Sequence, residues 1–135
     1  MSADQGRKTL LRMYEAFNRH DLEAMGDCLA DGFVSHYTGT EGRDTFLQFM
    51  QGFFEAFPDL RAEVLDVVSD GELVANRIRN TGTHQGEFSG IPATGKAVQL
   101  EASDFWRLDD DGSFTEHWGH ADNLSMMQQL GVIPE

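Results

Sequence analysis

The sequence predicts an α+β fold in which helices pack on the concave face of a strongly bent, mostly antiparallel sheet. Helical spacing of apolar residues dominates the chain up to Pro58, whereas alternation with a period of two dominates most of the remaining chain. Helices first and strands afterwards are typical of α+β proteins, in which helices cover one face of an antiparallel sheet. With 135 residues, 40% of them hydrophobic, and no internal repeat, the chain is predicted to be one domain over residues 1–135.

Three helices and a short strand are predicted in the first part of the chain. Apolar residues at helical spacing predict a helix over residues 5–19. Asp21 is a plausible N-cap for a second helix that ends near Gly32, and a short strand is predicted over residues 33–37. The third helix, residues 43–56, carries a stripe of aromatic side chains and ends before a proline, because the residue that precedes proline disfavours the helical conformation.

Four long strands and a closing helix are predicted in the rest of the chain. The first two strands are joined at Asp70-Gly71, a dipeptide that favours a hairpin. After the last strand, a helix is predicted over residues 123–130, and Gly131 can terminate it. The predicted strands are residues 60–69, 72–83, 97–108 and 112–122.

The charge balance and the lack of long apolar runs exclude several classes of partner. The net charge of -13 counts against nucleic acids and anionic membranes, since both are bound mainly through Lys and Arg. No apolar run is long enough to span a bilayer, and the polar first residues lack the apolar core of a signal peptide. A cytoplasmic location is therefore expected, and the single Cys28 is expected to be a packed thiol rather than a nucleophile.

The last predicted strand concentrates titratable side chains. Alternation along it is expected to place the following residues on one face: Phe114, Glu116, Trp118, His120 and Asp122. Such a face either meets water or lines a pocket, because an unpaired buried carboxylate is costly. The predicted helices contain too few residues to fill the concave side of the sheet, which favours a pocket.

Asp122 lies where this strand gives way to the last helix, and its position allows two interpretations. A carboxyl group held near Trp118 and the aromatic side chains of the third helix could take up and return a proton at neutral pH, which suits proton abstraction next to a carbonyl. Alternatively, Asp122 only caps the helix that follows it. Spacing alone supports the two interpretations about equally.

Other kinds of chemistry find little support in the sequence. Glu116, His120 and Asp122 could approach a divalent cation, but residues two apart on one strand seldom converge on one ion, so no metal site is predicted. The chain has neither a nucleophile elbow nor a phosphate-binding glycine pattern. We therefore expect no metal and no organic cofactor.

Several short motifs occur in order along almost the whole chain. They are Tyr14-x-Ala16-Phe17-Asn18-x-x-Asp21, Phe57-Pro58-Asp59, the run from Gly82 to Gly95, Asp111-Gly112, Glu116-His117-Trp118, Asp122, and Gln129-Leu130-Gly131. Together, their order and spacing resemble the SnoaL-like polyketide cyclase family.

This resemblance implies a fold, a reaction and a partner. The fold would be the cone-shaped α+β barrel of the nuclear transport factor 2-like superfamily, with a deep pocket and with a homodimer formed through the outer face of the sheet. The reaction would be an intramolecular aldol ring closure that uses neither metal nor cofactor and relies on a general acid/base Asp. The family's Asp matches Asp122 here, which favours the catalytic interpretation of that residue.

The sequence therefore predicts a cyclase or isomerase-type enzyme that acts on a hydrophobic carbonyl compound. Asp122 would move the proton, and His120 or His36 would bond the developing enolate oxygen. The remaining candidates for binding the substrate are Tyr14, Phe53, Phe57, His84 and Trp118. One alternative is a binding protein that holds the same kind of ligand without turnover, and another is an epoxide hydrolase in which Arg77 would assist Asp122.

Overall fold

The computed structural model describes residues 3–134, in which four helices and six strands follow one another. Three helices and two short strands come first, and four long strands and a closing helix come after them. The elements are α1 (Ala3–Asn18), α2 (Leu22–Gly26), β1 (Leu29–Ser35), β2 (Thr40–Glu41), α3 (Arg43–Ala56), β3 (Arg61–Asp70), β4 (Leu73–Thr83), β5 (Ala97–Leu108), β6 (Phe114–Ala121) and α4 (Asn123–Leu130).

The six strands form one sheet in the order β2-β1-β6-β5-β4-β3. All neighbours are antiparallel except β1 and β6, which run parallel. The register shifts within the β1–β6, β3–β4 and β5–β6 pairs, and such bulges bend and twist the strands that carry them. The predicted α+β class is confirmed, although the sheet stays open between β2 and β3 rather than closing into a barrel.

The boundaries of three elements agree with the prediction, and one region differs. Helices α3 and α4 and strand β5 have the predicted bounds. The predicted second helix is too long, because α2 ends at Gly26 and Leu29 already begins β1. Leu29 pairs with Phe114 of β6, so a long-range strand contact overrides the local helical spacing. Asp21 caps α2 as predicted, since its Oδ1 accepts from the Ala24 backbone N–H at 3.0 Å.

The core lies between the sheet and the first three helices. Leu10 of α1, Phe33 of β1, Val74 of β4 and Phe114 of β6 are fully buried within it. The rings are closely packed, and Trp106 stacks on Phe114 with centroids 4.6 Å apart. Burying one such ring contributes about 1.5–3 kcal/mol. No helix of the described residues combines the length and apolarity that a membrane crossing requires.

The loop after β4 is held against the end of α3 by backbone contacts. The N–H groups of Gln85 and Gly86 both donate to the carbonyl oxygen of Ala56, at 2.9 and 3.0 Å. A Cβ atom on Gly86 would lie 2.5 Å from the carbonyl oxygen of Glu55, which is backbone and cannot easily move away. A side chain at position 86 would therefore separate the loop from the helix.

We expect Gly86→Ala to lower the free energy of unfolding by about 1–3 kcal/mol, because the added methyl group overlaps the backbone of α3. Gly52→Ala is the matched control. Gly52 lies exposed inside α3, and an added Cβ meets nothing within 4 Å. This second change should stabilise the protein by about 0.5–1 kcal/mol. Urea unfolding measures both values, and equal stability of the two variants would contradict the close packing of the loop.

Candidate active site

A cavity lies between the concave face of the sheet and the helices. Measured out to its open mouth, and so including some solvent space, it has an empty volume of about 1030 Å³. Its walls are mainly apolar and aromatic, with Phe53 and Phe57 at the end of α3 and Trp106 on β5 among them. Neither Lys nor Arg lines it within the described part of the chain.

Asp104 is the carboxylate that this cavity contains. It lies on β5, and its side chain is only 10% exposed. Three donors hold it: His117 Nε2 at 2.7 Å from Oδ1, the Tyr14 hydroxyl at 3.1 Å from Oδ2, and Asn76 Nδ2 at 3.0 Å from Oδ2. Hydrogen bonds to a charged group contribute about 1.5–3 kcal/mol each, so this network offsets the cost of burying the charge.

His117 connects Asp104 to a third buried side chain. Its Nδ1 lies 2.9 Å from Ser35 Oγ, and the backbone N–H of Thr38 donates to the same hydroxyl oxygen at 3.3 Å. The Ser35 hydroxyl is thus free to donate to Nδ1, which leaves the proton of a neutral imidazole on Nε2, facing Asp104. Trp106 stacks on the imidazole at 4.1 Å, so the ring is fixed on both edges and on one face.

Strand register explains why these groups meet. Asp104 pairs with Asn76 on β4 and with Gly119 on β6. A Cβ atom on Gly119 would lie 2.8 Å from Asp104 Oδ1 and 3.2 Å from the His117 ring, so the absence of a side chain makes room for the pair.

Asp104, His117 and Asn76 are not among the residues predicted to form the site. The signal was present, because Asp104 follows Val98, Leu100 and Ala102 in the inward phase of β5.

The two tyrosines next to this site remain neutral donors. Burial, reinforced by the charge of Asp104, raises the pKa of Tyr14 well above its ordinary value. Burial is also the main cause that raises the pKa of Tyr37, and Asp104 adds to it. Tyr37 is 39% exposed and lines the cavity, whereas Tyr14 lies inside.

Four of the residues selected from the sequence line the cavity: Tyr14, Phe53, Phe57 and His120. His120 is solvent-exposed. Asp122 does not line the cavity. It is exposed and caps α4, where its Oδ1 accepts from the Ser125 backbone N–H at 3.0 Å.

The other selected residues lie elsewhere. His36 and Trp118 stack on each other at 5.2 Å, and His36 Nε2 lies 2.6 Å from Glu116. Neither ring lines the cavity. His84 is fully buried and also outside the lining, with its Nδ1 3.0 Å from Thr94 Oγ1.

A β-bulge in β6 explains the position of Trp118. Phe114 pairs with Leu108 and Glu116 pairs with Arg107, so Thr115 is an extra residue on its strand. The alternation therefore changes phase after Phe114, and His117 and Gly119 face the cavity. The predicted face of Glu116 and Trp118 as a pocket wall is wrong for this reason.

No metal centre is apparent within the described residues, where no three His, Cys, Asp or Glu side chains are grouped closely enough to share an ion. Arg77, the arginine considered for an epoxide hydrolase, does not line the cavity. Its exposed guanidinium pairs with Asp66 at 2.8 Å and with Glu101 at 2.7 Å.

Comparisons with known proteins agree with this architecture. The model of the family described as SnoaL-like polyketide cyclase matches residues 8–130. Among solved structures, IdmH of Streptomyces antibioticus, described as a candidate polyketide cyclase, is 38% identical with a TM-score of 0.82, over 94% of this chain and 99% of that one. AclR of Streptomyces galilaeus, described as a candidate hydroxylase, is 32% identical with a TM-score of 0.87, over 99% of this chain and 85% of that one.

A third structure extends the likeness in fold alone. TsrD of Streptomyces laurentii is 22% identical with a TM-score of 0.90, over 98% of this chain and 99% of that one. A search of curated proteins found no significant match.

The raised phenol pKa values predict a delayed alkaline titration. In the unfolded chain both tyrosines ionise near pH 10, whereas the folded chain keeps them protonated beyond it. Stability is therefore unaffected by these groups below about pH 10 and falls as the pH rises above it. Phenolate absorbance, followed in native buffer and in urea, measures the difference. In the Tyr37→Phe variant only Tyr14 remains, and a normal titration of that variant while folded would contradict the burial of Tyr14 beside Asp104.

Proposed function

The chain belongs to the SnoaL-like polyketide cyclase family, and on that premise we propose that it abstracts a proton next to a carbonyl group of a neutral, hydrophobic polyketide-type compound. The observation that carries the proposal is the buried Asp104 carboxylate, which faces an apolar cavity and is held by His117. A carboxylate in the wall of a cavity is placed to take a proton from a compound bound there.

In the proposed reaction Asp104 is the general base and later the general acid. Its carboxylate takes the proton from the carbon next to the carbonyl, and the electron pair of the C–H bond moves onto the carbonyl oxygen to give an enolate. The enolate carbon then attacks a second carbonyl carbon of the same molecule, forming the ring-closing carbon–carbon bond. The resulting alkoxide takes the proton back from Asp104, so the enzyme ends in its starting state.

The residues around Asp104 have distinct roles in this scheme. His117 and Ser35 fix the orientation of the carboxylate through the chain of hydrogen bonds from Ser35 Oγ to Asp104 Oδ1. Tyr14 donates to Oδ2. When Oδ2 is protonated it needs this donor less, and the Tyr14 hydroxyl can turn to the enolate oxygen in the same cavity.

The lining supports a neutral substrate. An anionic ligand would leave its charge uncompensated, because neither Lys nor Arg lines the cavity in the described residues and Asp104 would repel it. The aromatic walls suit a flat, apolar molecule.

A binding protein without turnover is the second candidate function. It is favoured by the same network, since Asp104 already accepts three hydrogen bonds from the protein and is thereby satisfied without a ligand. The two functions differ in what happens when the carboxylate is removed.

We expect Asp104→Asn to lower kcat for ring closure of an aromatic polyketide methyl ester by about 10²–10⁴-fold, because general acid/base catalysis contributes that much. The amide keeps the size of the side chain but cannot act as the base. Asp122→Asn is the matched control and should leave kcat within about threefold, because an amide oxygen can still cap α4.

The opposite result would indicate that the catalytic residue is Asp122, which follows β6, and not Asp104. Loss of turnover in Asp122→Asn with full activity in Asp104→Asn would overturn the role of Asp104 and support the role predicted for Asp122. Binding of the ester without turnover by the unmodified protein would support the second candidate function.

We also propose that the protein forms a homodimer through the outer face of the sheet. Strand pairing places four side chains in one row across this face: Val68, Ala75, Phe105 and Trp118. Val68 is 67% exposed and Phe105 is 46% exposed, so the row leaves apolar surface in contact with water. A second copy of the chain would cover this row.

Phe105→Glu should shift the protein from dimer to monomer in sedimentation velocity, because it places charges opposite each other at the centre of the row. Leu124→Glu is the control, since Leu124 is equally apolar and 63% exposed but lies on α4. A monomeric wild-type protein, or a dimer that survives Phe105→Glu, would contradict this interface.

A further inference from the structure

Besides Asp104, the cavity is lined by the amide side chain of Asn80 on β4. Asn80 lines the cavity, and its Oδ1 atom is buried without a hydrogen bond within the described residues. Its neighbours across the sheet are Ala62 on β3 and Leu100 on β5, whose side chains have no donor. A buried amide oxygen without a donor is energetically costly, and such a group in a native structure calls for an explanation.

Asn76 provides an internal comparison. It is the same residue type on the same face of β4, four positions earlier, and both the nitrogen and the oxygen of its amide are hydrogen-bonded within the protein. Its Nδ2 donates to Asp104 at 3.0 Å, and its Oδ1 accepts from Trp106 Nε1 at 2.8 Å. Strand β4 therefore carries two amides on one face. The oxygen of Asn76 accepts a hydrogen bond from the protein, whereas the oxygen of Asn80 accepts none within the described residues.

We propose that Asn80 determines substrate specificity by accepting a hydrogen bond from a hydroxyl group of the bound compound. This inference rests on the proposed function, which supplies the class of neutral, polyketide-type aromatic carbonyl compounds. A phenolic or enolic hydroxyl is the neutral donor that such a compound offers.

The position of Asn80 also bears on the length of the ligand. Asn80 lies four residues along β4 from Asn76, which pairs directly with Asp104. At about 3.3 Å per residue this separation is roughly 13 Å along the strand. A compound that places its reacting carbon at Asp104 and its hydroxyl at Asn80 is therefore extended, with the length of a fused polycycle rather than of a single ring.

The test combines one change in the protein with one change in the ligand. The probes are anthraquinone and a monohydroxylated anthraquinone whose hydroxyl is too far from the carbonyl groups to bond internally. Calorimetric titration of the wild-type protein should show about tenfold tighter binding of the hydroxylated probe, and Asn80→Leu should abolish that preference. The variant should bind anthraquinone at least as well and should be no less stable, because Leu removes an unpaired polar group.

Asn123→Leu is the matched control, because Asn123 also lines the cavity but lies at the start of α4. It should retain the preference for the hydroxylated probe. A wild-type protein that does not distinguish the probes, or an Asn80→Leu variant that keeps the full preference, would overturn the assignment.

The turnover of the Asp104→Asn variant, compared with the titrations of the Asn80→Leu variant, separates this inference from the proposed function. A hydroxyl preference that depends on Asn80, in a protein whose turnover does not depend on Asp104, would support the role of Asn80 and reject that of Asp104. Turnover that depends on Asp104, with no hydroxyl preference at Asn80, would have the opposite meaning.

Discussion

The interior of this protein is arranged around one requirement, which is that a buried carboxylate must be surrounded by donors. Asp104 occupies a position in β5 where the neighbouring inward residues are apolar. Its charge accounts for the positions of Tyr14, Asn76 and His117, and it also accounts for Gly119, whose missing side chain admits the imidazole. Removing any one of the donors would leave part of the desolvation cost without compensation.

Most of the fold could be predicted from local signals. The aromatic stripe and the following proline defined α3, Gly131 defined the end of α4, and alternation defined β5. Gly131 has the left-handed conformation, with φ of 79°, that such a terminus requires. The start of β1 could not be found in the same way, because Leu29 belongs to a strand only through its pairing with β6, more than eighty residues later in the chain.

The site was less predictable than the fold, for a reason that lies in one strand. Tyr14, Phe53 and Phe57 line the cavity, and their positions on α1 and at the end of α3 follow from helical spacing. Asp104 and His117 meet through the pairing of β5 with β6, and the register of that pairing cannot be derived from local sequence patterns. The inward phase of β5 still contained a usable sign, since a carboxylate among Val98, Ala102 and Trp106 is out of place unless partners reach it.

The extra residue in β6, Thr115, reverses which of the following side chains face inward and which face outward. The segment after Thr115 contains two alternating sets of side chains, and the bulge at this residue decides whether Glu116 or His117 turns inward. With Thr115 as the extra residue, His117 turns inward to Asp104, and Glu116 turns outward to His36. If Thr115 instead paired with Arg107 in a regular ladder, Glu116 and Trp118 would turn inward and His117 outward, so the loss of the bulge alone would replace an imidazole by a carboxylate on the inner face of this strand.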